Sequence, residues 1–535
     1  MSLTRQDIIV GAVIIAFSLL LSAHSMRNGV NIAPDEAHFI GYALGVQHGR
    51  GLTMLYNNFD DPALTHAISY WPPLYPLIVA GVAFGGSPLQ ALVVLGYAGM
   101  MVTGLLLAVL AYRILRSHFH ALAAALLIMT LASSIYPYSR GAAETVFIPL
   151  MLIAYTLTLN YRFRVAMPSL RTALALCIVL AFGTLVRNLN IVIALTIAVY
   201  VLCWAWSVRD QPVRPHPLLH VIIIGASVIP FGLFSLYNGI VHENPLGMHT
   251  LVPTFKLDDV INAAQVIGRQ TAHGVRQTLL LVGVRWRTVE IIGTALLVAL
   301  PIALVARAWW VRRQPPRIVT TRSALWLVIL MITVYAVVYL GITAFLPYVF
   351  VEAGRYLMPS FIGFVLLVLT VSKWLRVPRV LEIGVLALYC ISGVNFATLA
   401  GEGVSFNAWQ YREDRILQSI AAIVPPDAML IGGQYPYRFV AQLPYTPMRG
   451  SHVRRENGMY YQRDCREMVY FREYPRAALI LLRDTPDDAV MLERTPQQRI
   501  DFLRAWIAPC GDVEFADSTD VATLIVARIE PALLP

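Results

Sequence analysis

Two adjacent carboxylates follow a proline in the run Asn31-Ile32-Ala33-Pro34-Asp35-Glu36-Ala37-His38-Phe39-Ile40-Gly41-Tyr42. Proline at the first helical position and acids in the first turn start a helix, and that alone can account for acids there. The pair can also do chemistry. Like charges side by side favour retention of a proton on one of the two. That suits Asp35 to take a proton from a nucleophile as a general base, with Glu36 orienting it. His38 lies three residues after Asp35 on the same helical face, and His66 follows in the same loop. Asp, Glu and His are donor types of a divalent-cation site. An exposed loop histidine is the plainer reading, and no required metal or other cofactor is expected.

A second set of charges could hold an anion. Arg140 and Glu144 stand in Ser139-Arg140-Gly141-Ala142-Ala143-Glu144, Arg187 in Thr184-Leu185-Val186-Arg187-Asn188-Leu189-Asn190, and Arg355 in Gly354-Arg355-Tyr356-Leu357-Met358-Pro359. Arginine forks bind phosphate bidentately. The alternative for each arginine is an anchor at the membrane interface. It is weakest for Arg187, where a charge and two amides crowd a very short turn. Polar groups near a bilayer are costly unless they serve a site. Glu144 opens an apolar run, where it could help bind an acceptor or a cation.

The elements that must position these residues are membrane spans. Of 535 residues, 57% are hydrophobic and 13% charged, about half the charge of a soluble chain. That excludes disorder, a coiled coil and an ordinary cytosolic enzyme. Spans need about 20 apolar residues, and eleven runs qualify, the fifth and tenth only with polar flanks: 8–23, 90–112, 121–136, 145–159, 172–185, 191–206, 219–237, 289–306, 324–345, 361–371 and 381–399. The first reads as an uncleaved anchor. The predicted fold class is therefore a polytopic α-helical membrane protein.

Charge orients it. Residues 1–398 carry 26 Lys and Arg against 13 Asp and Glu, and residues 399–535 carry 15 against 18. The connections on the N-terminal side of the membrane hold Arg5, Arg113, Arg116, Arg162, Arg164, Arg171, the arginines of 209–214 and 307–322, and Lys373, Arg376 and Arg379. The positive-inside rule makes that side cytoplasmic. The net charge of +10 is thus a topology signal, not a nucleic-acid footprint. Loops 24–89 and 238–288, the tail, and the acids Asp35, Glu36 and Glu144 fall outside. The basic stretch 243–287 could be a lid over a lipid phosphate or a surface amphipathic segment. The tail reads as a small α/β domain, with strands at 428–432, 477–482 and 521–529 and helices at 414–423 and 496–507. Cys465 and Cys510 are its two cysteines and could pair in an oxidising compartment.

The order of motifs resembles the GT-C superfamily of membrane glycosyltransferases, in the branch of protein O-mannosyltransferases and lipid A aminoarabinose transferases. The resemblance rests on the Asp35-Glu36 pair after the first span and on Ser69-Tyr70-Trp71-Pro72-Pro73-Leu74-Tyr75-Pro76-Leu77 before the second. It also rests on Arg140 to Glu144 opening the fourth span, on Arg355-Tyr356 before the tenth, and on Ile423-Val424-Pro425-Pro426 opening the tail. It implies a GT-C-like catalytic domain at 1–399 and an extracytoplasmic α/β domain at 400–535. It implies Asp35 and Glu36 as catalytic residues, and Glu144, Arg140, Arg187, Arg355, Tyr356 and His38 as substrate-binding residues. The donor would be a sugar on a polyprenyl phosphate, the acceptor a lipid, glycan or protein, and the home an inner or plasma membrane. The residues agree on the donor: there is no Asp-x-Asp motif and no glycine-rich nucleotide loop, and nucleotide sugars are cytosolic whereas the acids face out. A transporter or flippase of a lipid-linked saccharide is the rival from another class. Such proteins tend to place polar groups mid-span and to carry repeated halves, whereas here mid-span charges are nearly absent and the acids cluster at one membrane face. A non-catalytic membrane scaffold is a further rival, and a polysaccharide polymerase or ligase remains an enzymatic alternative.

Overall fold

The computed structural model describes residues 4–27, 34–49, 51–54, 66–67, 72–163, 168–208, 217–241, 319–345, 358–375 and 377–402. In the tail it describes 425, 428–432, 445–447, 453–456, 459–462, 465, 476–482, 495–518 and 522–530. The chain forms two compact units, one of residues 1–27, 69–75 and 94–400, the other of residues 28–68, 76–93 and 401–535.

The helices are α1 (Arg5–Ser25), α2 (Pro34–Gln47), α3 (Leu74–Ala83), α4 (Pro88–Leu115), α5 (His118–Met129), α6 (Ala132–Arg140), α7 (Glu144–Thr158), α8 (Leu170–Val186), α9 (Asn190–Ser207), α10 (Pro217–Gly225), α11 (Ile229–Val241), α12 (Val319–Phe345), α13 (Met358–Leu375), α14 (Arg379–Glu402) and α15 (Pro496–Ile507). Ten of the eleven expected apolar runs are helical; the run 289–306 lies outside the described residues. Among the described residues, five helices are long and apolar enough to cross a membrane, six if α5 and α6 count as one span bent by 63°. The bend is capped locally. Thr130 ends α5, and Ser134 Oγ donates to Ile128 O at 2.5 Å. The seventh run is interrupted by a short 3-10 turn at Ala226–Val228 between α10 and α11.

Outward-facing apolar side chains mark these helices as membrane elements. Leu233 is 62% exposed, Ile240 73% and Val380 80%. Water would oppose such a surface, and lipid covers it at no cost. Close contacts depend on glycine. A Cβ on Gly104 would lie 2.7 Å from Ile14 Cγ2, so α1 and α4 approach only because that residue is glycine. One end of the first unit is closed by polar links. His118 Nε2 lies 3.0 Å from Asp7 Oδ1, and His120 Nε2 3.2 Å from Glu382 Oε1. Arg379 Nη1 donates to Glu382 Oε2 at 2.6 Å, and Arg113 donates to Thr156 O and Asn160 Oδ1 at 2.6 and 2.7 Å.

In the second unit, β1 (Thr53–Met54) pairs antiparallel with β2 (His66–Ala67). The tail carries β3 (Ala428–Gly432), β4 (Tyr445–Pro447), β5 (Val453–Glu456), β6 (Met459–Gln462), β7 (Arg476–Leu482), β8 (Gly511–Ser518) and β9 (Ala522–Ile529). A five-stranded sheet runs in the order β4-β3-β7-β9-β8; β3 is parallel to β4 and β7, and β9 is antiparallel to β7 and β8. Strands β5 and β6 form a separate hairpin. Helix α15 starts with a Thr495–Gln498 capping box. It buries Leu503, Trp506 and Ile507 with Leu479, Ile525, Ala527 and Ile529 of the sheet. Cys465 and Cys510, both buried in this core, form a disulfide with Cα atoms 6.2 Å apart. The expected helix at 414–423 lies outside the described residues.

Candidate functional site

In the first unit the chain builds a charged centre inside an apolar bundle. Arg187 Nη1 and Glu144 Oε1 are 3.0 Å apart, with side chains 8% and 1% exposed. Glu144 stands in the first turn of α7, where the helix dipole favours a carboxylate. Arg187 ends α8 in an extended conformation (φ −154°), its N–H donating to Gly183 O. The turn carrying it is stapled: Asn190 Nδ2 donates to Leu180 O at 2.7 Å, and Asn190 N to Arg187 O at 3.0 Å. Gly183 is required there, because a Cβ on it would lie 2.5 Å from Asn190 Nδ2. Arg187 is thus projected from a rigid hairpin between α8 and α9.

Arg140 sits four residues before Glu144. It is buried, and its guanidinium lies 3.6 Å from the ring centroid of Tyr136, a cation–π contact. Gly141 follows with φ +61°, the left-handed conformation that ends α6 and lets the chain re-enter as α7. Tyr75 Oη donates to the Gly141 carbonyl, and Thr103 Oγ1 is 2.6 Å from Tyr138 Oη. Both arginines are withdrawn from the surface, which removes the interfacial-anchor reading for them.

In the second unit, Asp35, Glu36 and His38 occupy the first turns of α2, the helix start that Pro34 predicts. Glu36 is fully buried, an uncommon fate for an acid. His38 is half-buried in the same helix. Among the described residues, no three His, Cys, Asp or Glu side chains gather as a metal site. Arg355, Tyr356 and the basic stretch 243–287 lie outside the described residues. The structure therefore joins Glu144 with Arg187 and buries Arg140 against Tyr136 at the end of α6. The sequence reading missed the staple by Asn190 and the role of Gly183. The crowding of Thr184 to Asn190 pointed to the turn, but not to its partner across α7.

A buried arginine beside a carboxylate can bind a phosphate and orient a hydroxyl. No protein-family model and no curated protein matches the chain by sequence. Solved structures do. The crystal structure of ArnT from Cupriavidus metallidurans in the apo state is 13% identical, covers 98% of this chain and 98% of its own, and gives a TM-score of 0.58. The same protein bound to undecaprenyl phosphate gives 13%, 98%, 98% and 0.57. The chain therefore shares its fold with ArnT along nearly its whole length.

Proposed function

We propose that the chain is a membrane glycosyltransferase that moves a sugar from a polyprenyl-phosphate donor to an acceptor at the external face of the membrane. The observation that carries this reading is a fold shared end to end with a protein solved with undecaprenyl phosphate. The buried Arg187–Glu144 pair and the buried Arg140 support it, because such charges within a bundle are costly unless they serve a site.

In the proposed reaction Asp35 takes the proton of the acceptor nucleophile, and Glu36 orients Asp35. The nucleophile attacks the anomeric carbon of the sugar, the bond from that carbon to the phosphate oxygen breaks, and polyprenyl phosphate leaves with the electron pair. Arg140, Arg187 and Arg355 clamp the donor phosphate in the ground state and as it departs, Glu144 and His38 bind substrate on the acceptor side, and Tyr356 belongs to the substrate-binding set. The transferred group is a hexose or a pentose. The topology in this reading has eleven spans, a cytoplasmic N-terminus and a periplasmic or extracellular tail. Residues 1–399 are the catalytic membrane domain and 400–535 the external α/β domain, in an inner or plasma membrane.

The test has two arms: mass spectrometry of envelope glycolipids and glycoproteins with and without the gene, and transfer by purified protein from polyprenyl-phosphate sugars in detergent. A glycan change that tracks the gene and is reproduced in vitro supports the reading. Accumulation of a lipid-linked saccharide on one side of the membrane, with no transfer in vitro, points to a transporter instead.

A further inference from the structure

The turn between α6 and α7 sets where Arg140 and Glu144 point, so whatever holds that turn tunes the site. On α4, Gly96, Gly99 and Thr103 recur at helical spacing along one face. A Cβ on Gly96 would lie 2.4 Å from Tyr138 O, and one on Gly99 would lie 2.8 Å from both Cβ and O of Thr145. Thr103 adds its bond to Tyr138 Oη. The residues just before and just after the turn therefore rest against the backbone of α4. The turn itself is held at one further point, the carbonyl of Gly141, which accepts from Tyr75 Oη. Tyr75 is entirely buried and belongs to the Pro72-Pro73-Leu74-Tyr75 segment that opens α3.

We propose that Tyr75 is a positioning residue: through the Gly141 carbonyl it ties the start of α3 to the turn that aims Arg140 and Glu144. It touches the backbone of the turn and acts on the anion site through it. The inference rests on the proposed transfer reaction for the identity of that site, but the tie itself is independent of it. Tyr75→Phe keeps the ring and its packing and removes one oxygen. The Gly141 carbonyl then loses its donor in a buried place, which such groups tolerate poorly. The turn shifts to recover a partner and carries the two charged side chains with it. Displacements near 1 Å at a binding site can cost up to about 100-fold.

The experiment uses the full chain in detergent, with Gly99→Ala as a second variant that presses on the same turn from α4. The first readout is amide hydrogen exchange over residues 138–147. Both variants should exchange at least about fivefold faster there and unchanged elsewhere. The second is the dissociation constant of undecaprenyl phosphate and the KM for a polyprenyl-phosphate sugar. Both should rise about 5- to 30-fold, with kcat per folded molecule within about threefold. A purely structural role would lower the folded fraction and kcat and leave KM in place. Unchanged exchange overturns the tie. Faster exchange with unchanged KM and dissociation constant overturns the positioning role. A wild-type chain that binds no undecaprenyl phosphate and transfers nothing overturns the proposed function instead, and exchange alone then decides the tie. Should Tyr75→Phe fail to fold, 3-fluorotyrosine at position 75, a stronger donor of nearly the same shape, should slow exchange over residues 138–147, and unchanged exchange there overturns the tie.

Discussion

Replacing Arg187 by Met takes a cation away from a carboxylate 3.0 Å distant, in a place where the two side chains are only 8% and 1% exposed. At an effective dielectric constant near 20, Coulomb attraction at 3.0 Å is about 5.5 kcal/mol. Part of it offsets the desolvation of two ions, but a single substitution leaves that desolvation in force for the remaining partner, at a cost of about 3–5 kcal/mol. Arg187→Met and Glu144→Gln should each show that loss. The double variant buries neither charge and should cost no more than either single one, a coupling of at least about 3 kcal/mol. An unfolding entropy of about 2.1 cal/mol/K per residue over 535 residues amounts to about 1.1 kcal/mol/K, so each single variant lowers Tm by about 3–5 °C. The assay is thermal unfolding of all four proteins in one detergent at one scan rate, because unfolding of such proteins is rate-dependent. Additive losses, or an Arg187→Met protein within about 1 °C of wild type, would refute the claim that this pair is a desolvated unit.

Asp35→Asn should lower transfer about 10²–10⁴-fold with expression and monodispersity intact, and Glu36→Gln should cost less; wild-type rates for Asp35→Asn would remove it as the base. A reporter active only in the cytoplasm, fused after Pro535, should be silent, and an active fusion would reverse the topology. Cys510→Ser opens a link between residues separated by 45 positions, which should cost the tail about 4 kcal/mol on the chain-entropy scale; thiol alkylation with and without reductant should report the wild-type pair as oxidised. The bulged residue Glu514 of β8 accepts from Arg476 at 2.8 Å and faces Arg528 at 2.8 Å. The hydrogen bond from Arg476, followed by the two positive charges, holds its carboxyl below the ordinary carboxylate range. A depressed pKa contributes stability above the unfolded value, near 4.3, which is lost as pH falls through the folded value. Glu514→Gln should flatten the acid limb of the tail's stability profile, and an unchanged limb would show that the trio contributes nothing there.

Hydropathy alone located ten helices, because an apolar run long enough to cross a bilayer has few other stable fates. Short apolar, β-rich runs bounded by turn residues located β3, β7 and β9 for the same local reason. Pro34 with its acids announced α2, and amphipathic periodicity announced α15. Strands β4 and β8 escaped notice. The first has three residues, and the second, Gly-Asp-Val-Glu-Phe-Ala-Asp-Ser, carries charges suited to a sheet edge. The candidate residues Arg140, Glu144 and Arg187 were visible as charges out of place in apolar sequence. Their mutual relation was not, because the partner of Arg187 is set by how α7 packs against the α8–α9 hairpin and no local pattern encodes a contact across 43 positions. The same holds for Gly96, Gly99 and Gly183: a glycine in a membrane helix reads as permissive until a neighbouring carbonyl or amide is found where its Cβ would be. Composition, periodicity and charge bias therefore determined the elements and the class. Close packing alone decided which buried charges face each other, because that depends on distances of a few tenths of an ångström between segments far apart in the chain.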